Sequence, residues 1–78
     1  MSRDEVRRDR LSQFVDLARI YRRWTKIQTA QALGREPSKV VPESGNPKLD
    51  LVVGLAEALD WDVGDVAEGI WRDEAEAY

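Results

Sequence analysis

Asn46-Pro47-Lys48-Leu49-Asp50-Leu51-Val52-Val53-Gly54-Leu55-Ala56-Glu57-Ala58-Leu59-Asp60-Trp61-Asp62-Val63-Gly64-Asp65-Val66 is the stretch that decides how this chain folds. Pro47 suits a first helical position, because its missing amide hydrogen would be unpaired there, and Asn46 before it is a favoured N-cap. Leu49, Val52, Val53, Ala56 and Leu59 then recur at i, i+3, i+4, i+7 and i+10, the spacing of one buried helix face. Asp62 reads as the cap of a following helix whose buried residues are Val63, Val66, Ala67 and Ile70. Trp61 stands at the junction between aspartates, and its ring is expected to close the core there.

The same logic extends towards the N-terminus. Leu11, Phe14, Val15, Ala18 and Tyr21 form one stripe, widened by Leu17, Ile20 and Trp24, so a helix with a broad buried face is expected. Residues 1–10 alternate charges and read as a charged extension of that helix. Thr25 with Gln28 three residues on is a capping box, which starts a second helix at about Lys26. That helix should end at Leu33 with Gly34 as its stop, and Ala30 in its middle is small enough for a close helix crossing. Arg35 to Val41 is a third candidate, with Pro37 at its first position. Pro42 limits it to little more than a turn, because proline lacks an amide hydrogen and forces Val41 out of the α region. The expectation is an all-α chain of five short helices, with a domain over 11–70 and a tail over 71–78.

Several of these pieces occur in a recognisable order. Thr25 opens the second helix, Ala30 sits mid-helix, Leu33-Gly34 closes it, and Glu43-Ser44-Gly45 precedes Asn46-Pro47. In this the chain resembles the phage-repressor/Cro-type (XRE-like) helix-turn-helix family over about residues 14–70. The resemblance implies a five-helix repressor/Cro-like fold and a small DNA-binding transcriptional regulator, acting as a homodimer on a two-fold operator in double-stranded DNA. By the same resemblance Ser38 and Lys39 would point at bases, while Lys26 and Gln28 would hold phosphates. Lysine suits guanine O6 and N7, and serine discriminates little. Arg19, Arg22 and Arg23 cluster at the end of the first helix, where they either complement the helix dipole or reach phosphate. The short third helix leaves a second reading open: a degenerate helix-turn-helix that serves as a protein–protein interaction module, partner or antagonist of another regulator, without base reading.

Charge divides the chain. Residues 1–48 hold eleven Lys/Arg against six Asp/Glu, a net +5, whereas 49–78 hold one arginine against nine acids, a net −8. One half can face a polyanion while the acidic C-terminal half could be offered to a basic protein. Ile70, Trp71 and Tyr78 read as a possible dimer interface, since aromatic residues dominate interface hot spots.

The 78 residues contain no cysteine and no histidine. The usual zinc ligand sets and the Ser-His and Cys-His nucleophile pairs are therefore out of reach, and no enzymatic role is expected. Asp60, Asp62, Asp65 and Glu68 do not match a calcium loop, because Gly64 falls at the fifth position and Trp71 at the twelfth. No metal or cofactor is expected. With no signal-peptide pattern and no apolar run of membrane-spanning length, a soluble cytoplasmic protein is expected.

Overall fold

A capping box between Thr25 and Gln28 starts the second of four α-helices in the computed structural model, which describes residues 3–76, with side chains from 5 to 72. The helices are α1 (Arg3–Arg22), α2 (Lys26–Ala32), α3 (Leu49–Leu59) and α4 (Val63–Glu76), with no strand among the described residues. The all-α expectation holds. The five-helix count does not, because the third expected helix is a 3-10 turn of three residues, Pro37–Lys39. Pro37 occupies its start as expected, and the chain leaves the turn before Pro42.

The core is one cluster built around α3. Leu51, Val52, Leu55, Ala56, Ala58 and Leu59 are all buried and share one broad face of α3, with Asp50 and Glu57 exposed on the other side. Leu11 and Ala18 of α1, Ala30 of α2, and Val66 and Ile70 of α4 complete the cluster. Two close approaches depend on missing side chains. A Cβ on Gly69 would stand 2.6 Å from Phe14 Cζ, so glycine there lets α1 lie against α4. Leu33 is placed against Gly54 in the same way, 3.0 Å from where a Cβ would sit.

Three helices end alike. Arg23, Gly34 and Asp60 all have positive φ, and the amide of the next residue reaches back five: Trp24 N–H to Arg19 O, Arg35 N–H to Ala30 O, and Trp61 N–H to Ala56 O, each at 2.9 Å. This is the Schellman arrangement, which satisfies carbonyls that a helix end would otherwise orphan. Glycine takes the left-handed conformation freely at Gly34. Arg23 carries a Cβ in that conformation and is strained by it.

The structure corrects the expected burial in several places. Leu49 is 72% exposed, because enclosure of α3 centres on Leu51 and Leu55. Leu17, Ile20 and Tyr21 are exposed: α3 and α4 cover only the side of α1 that carries Leu11 and Ala18. Trp61 is 49% exposed and meets Phe14 edge-on, with ring centroids 5.9 Å apart, so it lies over the rim of the core and does not close it. Val63 is also exposed. The start of α3 moves as well. Lys48 is its N-cap and Leu49 its first residue, because the first amide bonds, from Leu51 and Val52, go to Lys48 O. Asn46, expected as the cap, instead accepts a hydrogen bond from Arg7 of α1. Asp62 does cap: its carboxylate accepts from Gly64 N–H at 2.8 Å at the start of α4. That helix is kinked at Trp71 (φ −106°, ψ 21°).

These burials rank substitutions. Leu55→Ala, at a fully enclosed position, should lower stability by roughly 2–5 kcal/mol. Trp61→Ala removes a half-exposed ring and one aromatic contact, for a loss nearer about 1–2 kcal/mol. Thermal melts of the two variants should rank them in that order. Arg23→Gly should stabilise the chain by about 0.5–1 kcal/mol by relieving its left-handed strain; a lower melting point would contradict this account of the α1 end.

Candidate nucleic-acid interface

The basic residues expected to meet DNA fall into two groups once folded. Thr25 Oγ1 accepts from Gln28 N–H at 3.1 Å, and Gln28 Oε1 accepts from Thr25 N–H at 2.9 Å. This pair fixes Lys26 as the first residue of α2, facing the end of α1. One turn on, Thr29 is buried and donates its hydroxyl to Thr25 O at 2.8 Å, which satisfies it within α2. The 3-10 turn then packs beside α2.

Between α1, α2 and the turn lies a depression lined by Arg19, Lys26, Ser38, Asp16, Val15 and Val41, among others. It gathers Arg19, Lys26 and Ser38 of the expected set. Arg19 Nε is buried without a hydrogen-bond partner, and it stands 3.9 Å from Asp16 Oδ1, close enough for ion pairing but too far for a hydrogen bond. Asp16 belongs to the same depression, so one carboxylate tempers its positive charge. The sequence had not marked Asp16.

The remaining expected residues lie elsewhere. Arg22 is committed to α3: its Nε donates to Ala58 O at 2.6 Å and its Nη2 to Glu57 O at 3.0 Å. A guanidinium on the last carbonyls of a helix satisfies orphan acceptors and opposes the negative end of the dipole. Arg23 is exposed at the α1–α2 junction. Gln28 uses its oxygen in the capping box and keeps its amide hydrogens. Lys39 is exposed on the turn, 3.9 Å from Glu36 Oε2, a pair too solvated to matter much.

Of the proposed dimer residues, Ile70 is wholly buried in the core and Trp71 is half-buried against it, which leaves neither as a free anchor. Tyr78 lies outside the described residues. Among the described residues no group of three or more His, Cys, Asp or Glu side chains is placed to hold a metal ion, and no helix is long and apolar enough to cross a membrane.

A second arginine does architectural work unmarked by the sequence. Arg35 donates from Nη1 to Leu33 O at 2.8 Å and from Nη2 to Asp50 Oδ1 at 2.9 Å, tying the end of α2 to the start of α3. Comparison of the chain with protein-family models, with curated proteins and with solved structures returns no match.

The Arg35 link has a pH signature. The hydrogen bond from Arg35, then its positive charge and the Leu51 amide, hold the Asp50 carboxyl below the ordinary 3.8. A carboxylate depressed on folding contributes stability that is complete above its unfolded pKa and lost as pH falls through the folded one. The contribution should therefore persist through neutral pH and fade only below the usual carboxylate range. An NMR titration of the Asp50 carboxyl carbon should show a midpoint below 3.8. In Arg35→Met the midpoint should move up; an unchanged midpoint would remove Arg35 as the cause.

Proposed function

We propose that this chain is a small DNA-binding regulator that grips duplex phosphates with Arg19 and Lys26, assisted by the Gln28 amide, and presents Ser38 and Lys39 to the bases. The observation that carries this reading is the depression where α1, α2 and the 3-10 turn converge, which places Arg19, Lys26 and Ser38 together on the basic half of the chain. The order of elements supports it too: a capped short helix, a tight turn and a second short element is how helix-turn-helix proteins approach a groove. Pairing of two copies supplies the affinity that one such module lacks.

The length of the turn limits what it can read. Three residues of 3-10 helix present few side chains to a major groove that accommodates a whole α-helix. Backbone contact should therefore dominate, with base preference confined to Ser38 and Lys39. The same shortness favours the second reading, a helix-turn-helix scaffold kept for protein contact.

Fluorescence anisotropy with a labelled duplex at low salt separates the two. With about three phosphates neutralised per protomer, log affinity should fall against log salt with a slope of about −2.7. Lys26→Ala should weaken every sequence alike and flatten the slope by about one. Lys39→Ala should lose more on a preferred site than on random DNA, by about 1–3 kcal/mol if it reads a base. Arg22→Ala should lower the melting point, since it holds α3, and leave the slope near that of the parent. Absence of binding at low salt, or indifference to Lys26, would leave the protein-interaction reading in its place.

A further inference from the structure

We propose that the exposed apolar strip formed by Leu17 and Tyr21 of α1 with Trp61 of the α3–α4 turn is a self-association surface, on which a second copy of this chain docks about a two-fold axis. Phe14, Leu17 and Tyr21 follow one another at i, i+3 and i+7 and so share one side of α1. Trp61 stands on Phe14, which makes the turn continuous with that side. Leu17 and Trp61 are each 49% exposed and Tyr21 61%. Such a run of large apolar side chains is unusual on a surface unless something covers it.

The rim of the strip says what covers it. At one end Arg10 and Arg72 line the same depression as Phe14, Leu17 and Gly69. At the other end Trp61 is flanked by Asp60 and Asp62, with Asp65 one turn further on, all exposed. Arg72 is ten positions after Asp62, about 15 Å along α4. The strip is thus basic at one end and apolar in the middle. At the other end Asp60, Asp62 and Asp65 outnumber Arg22, whose guanidinium lies 5.6 Å over the Tyr21 ring, so that end is acidic on balance. A two-fold axis through the middle lays the basic end of each copy on the acidic end of its mate, twice, as an isologous contact requires. A uniformly basic partner would satisfy only one end and be repelled at the other. Rim charges of this kind set orientation, while the aromatic and aliphatic centre supplies most of the affinity.

The strip is also independent of the basic depression. Leu17 and Arg19 are two residues apart, so at about 100° per residue their side chains leave α1 on nearly opposite sides. Both surfaces can be filled at once. Where the DNA reading holds, paired copies would direct their basic faces outward, which suits two separated stretches of duplex better than adjacent half-sites.

A stable interface buries about 800 Å² per partner, roughly 15% of the 5392 Å² surface here, and the strip alone provides less than that. Association should therefore be weak, with Kd of micromolar order. Sedimentation equilibrium of the full chain without DNA, from about 1 to about 500 µM, should show the mass rising from 8.9 kDa towards twice that value. Leu17→Glu, at an exposed helical site, should weaken the dimer at least tenfold while circular dichroism shows an unchanged fold; Lys26→Ala should leave the mass as it is. Arg72→Glu and Asp65→Lys should each weaken self-association, and mixing the two should restore a heterodimer, because both ends become complementary again. A monomer at all concentrations, a dimer indifferent to Leu17→Glu, or a mixture that fails to pair would overturn the proposal. A chain that stays monomeric but binds a lysine-rich amphipathic peptide, read by Trp61 fluorescence, would likewise overturn it and give the strip to a foreign partner.

Discussion

The guanidinium of Arg22 on the closing carbonyls of α3 is the constraint on which most of this small fold depends. α3 supplies the largest share of the core from one broad face, and its last carbonyls emerge at the edge of that core, where Arg22 reaches them. Arg22 takes two of them, Ala58 O at 2.6 Å and Glu57 O at 3.0 Å, from 36 and 35 positions away. Hydrogen bonds from a charged donor are worth about 1.5–3 kcal/mol, a large share of the stability of so short a domain. The contact also sets the register of α1 on α3. With Arg22 anchored there, Ala18 and Leu11 fall one and three turns back along the same side, into the core. Leu17 and Tyr21 are turned outward.

That register decides what the two ends of the α1–α3 pair can do. At the α1 end the chain must reverse within three residues to begin α2 under the Thr25 capping box, and Arg23 accepts a left-handed backbone to make the turn. At the α3 end Asp60 makes the same reversal, which carries Trp61 out over Phe14. Aspartate tolerates that conformation better than most residues, so the second reversal is the less strained. The two turns are built on one hydrogen-bond pattern and have opposite consequences. One places Lys26 beside Arg19, and the other exposes an indole between aspartates.

Local chemistry was legible in the sequence and remote chemistry was not. The capping box of Thr25 and Gln28, the stop at Gly34, the cap at Asp62 and the brevity of the third element all rest on neighbours within a few residues, and all appear in the structure. Asn46 misled because its oxygen is taken by Arg7, 39 residues away, which no local pattern announces. Leu17, Ile20 and Tyr21 carried a helical periodicity that was real, yet periodicity reports that a face is apolar and not that a neighbour covers it. Leu49 failed for a related reason: the apolar positions of α3 are wider than its buried face, which centres on Leu51 and Leu55 and leaves Leu49 at its edge in the first turn. Of the candidate site, the type and place of Lys26 and Ser38 could be read in advance. The diversion of Arg22 to α3 and the intrusion of Asp16 depend on which side of α1 meets which helix.

The opposition of the two faces of α1 follows from the same packing. A helix of 20 residues packed along one side has three others to dispose of, and here they differ in kind. Towards α2 it offers Arg19 and Asp16, 3.9 Å apart, whose opposite charges partly neutralise each other. Away from α2 it offers Leu17 and Tyr21, with charges of opposite sign at the two ends. Electrostatics falls off within about 8–10 Å at physiological salt, so the −8 half does not cancel the basic depression at a distance. The acidic residues nearest the strip therefore act locally, on whatever lies against Trp61. Segregated charge in this chain thus separates two surfaces on one helix, so that the polyanion and the second copy proposed above would not compete for α1.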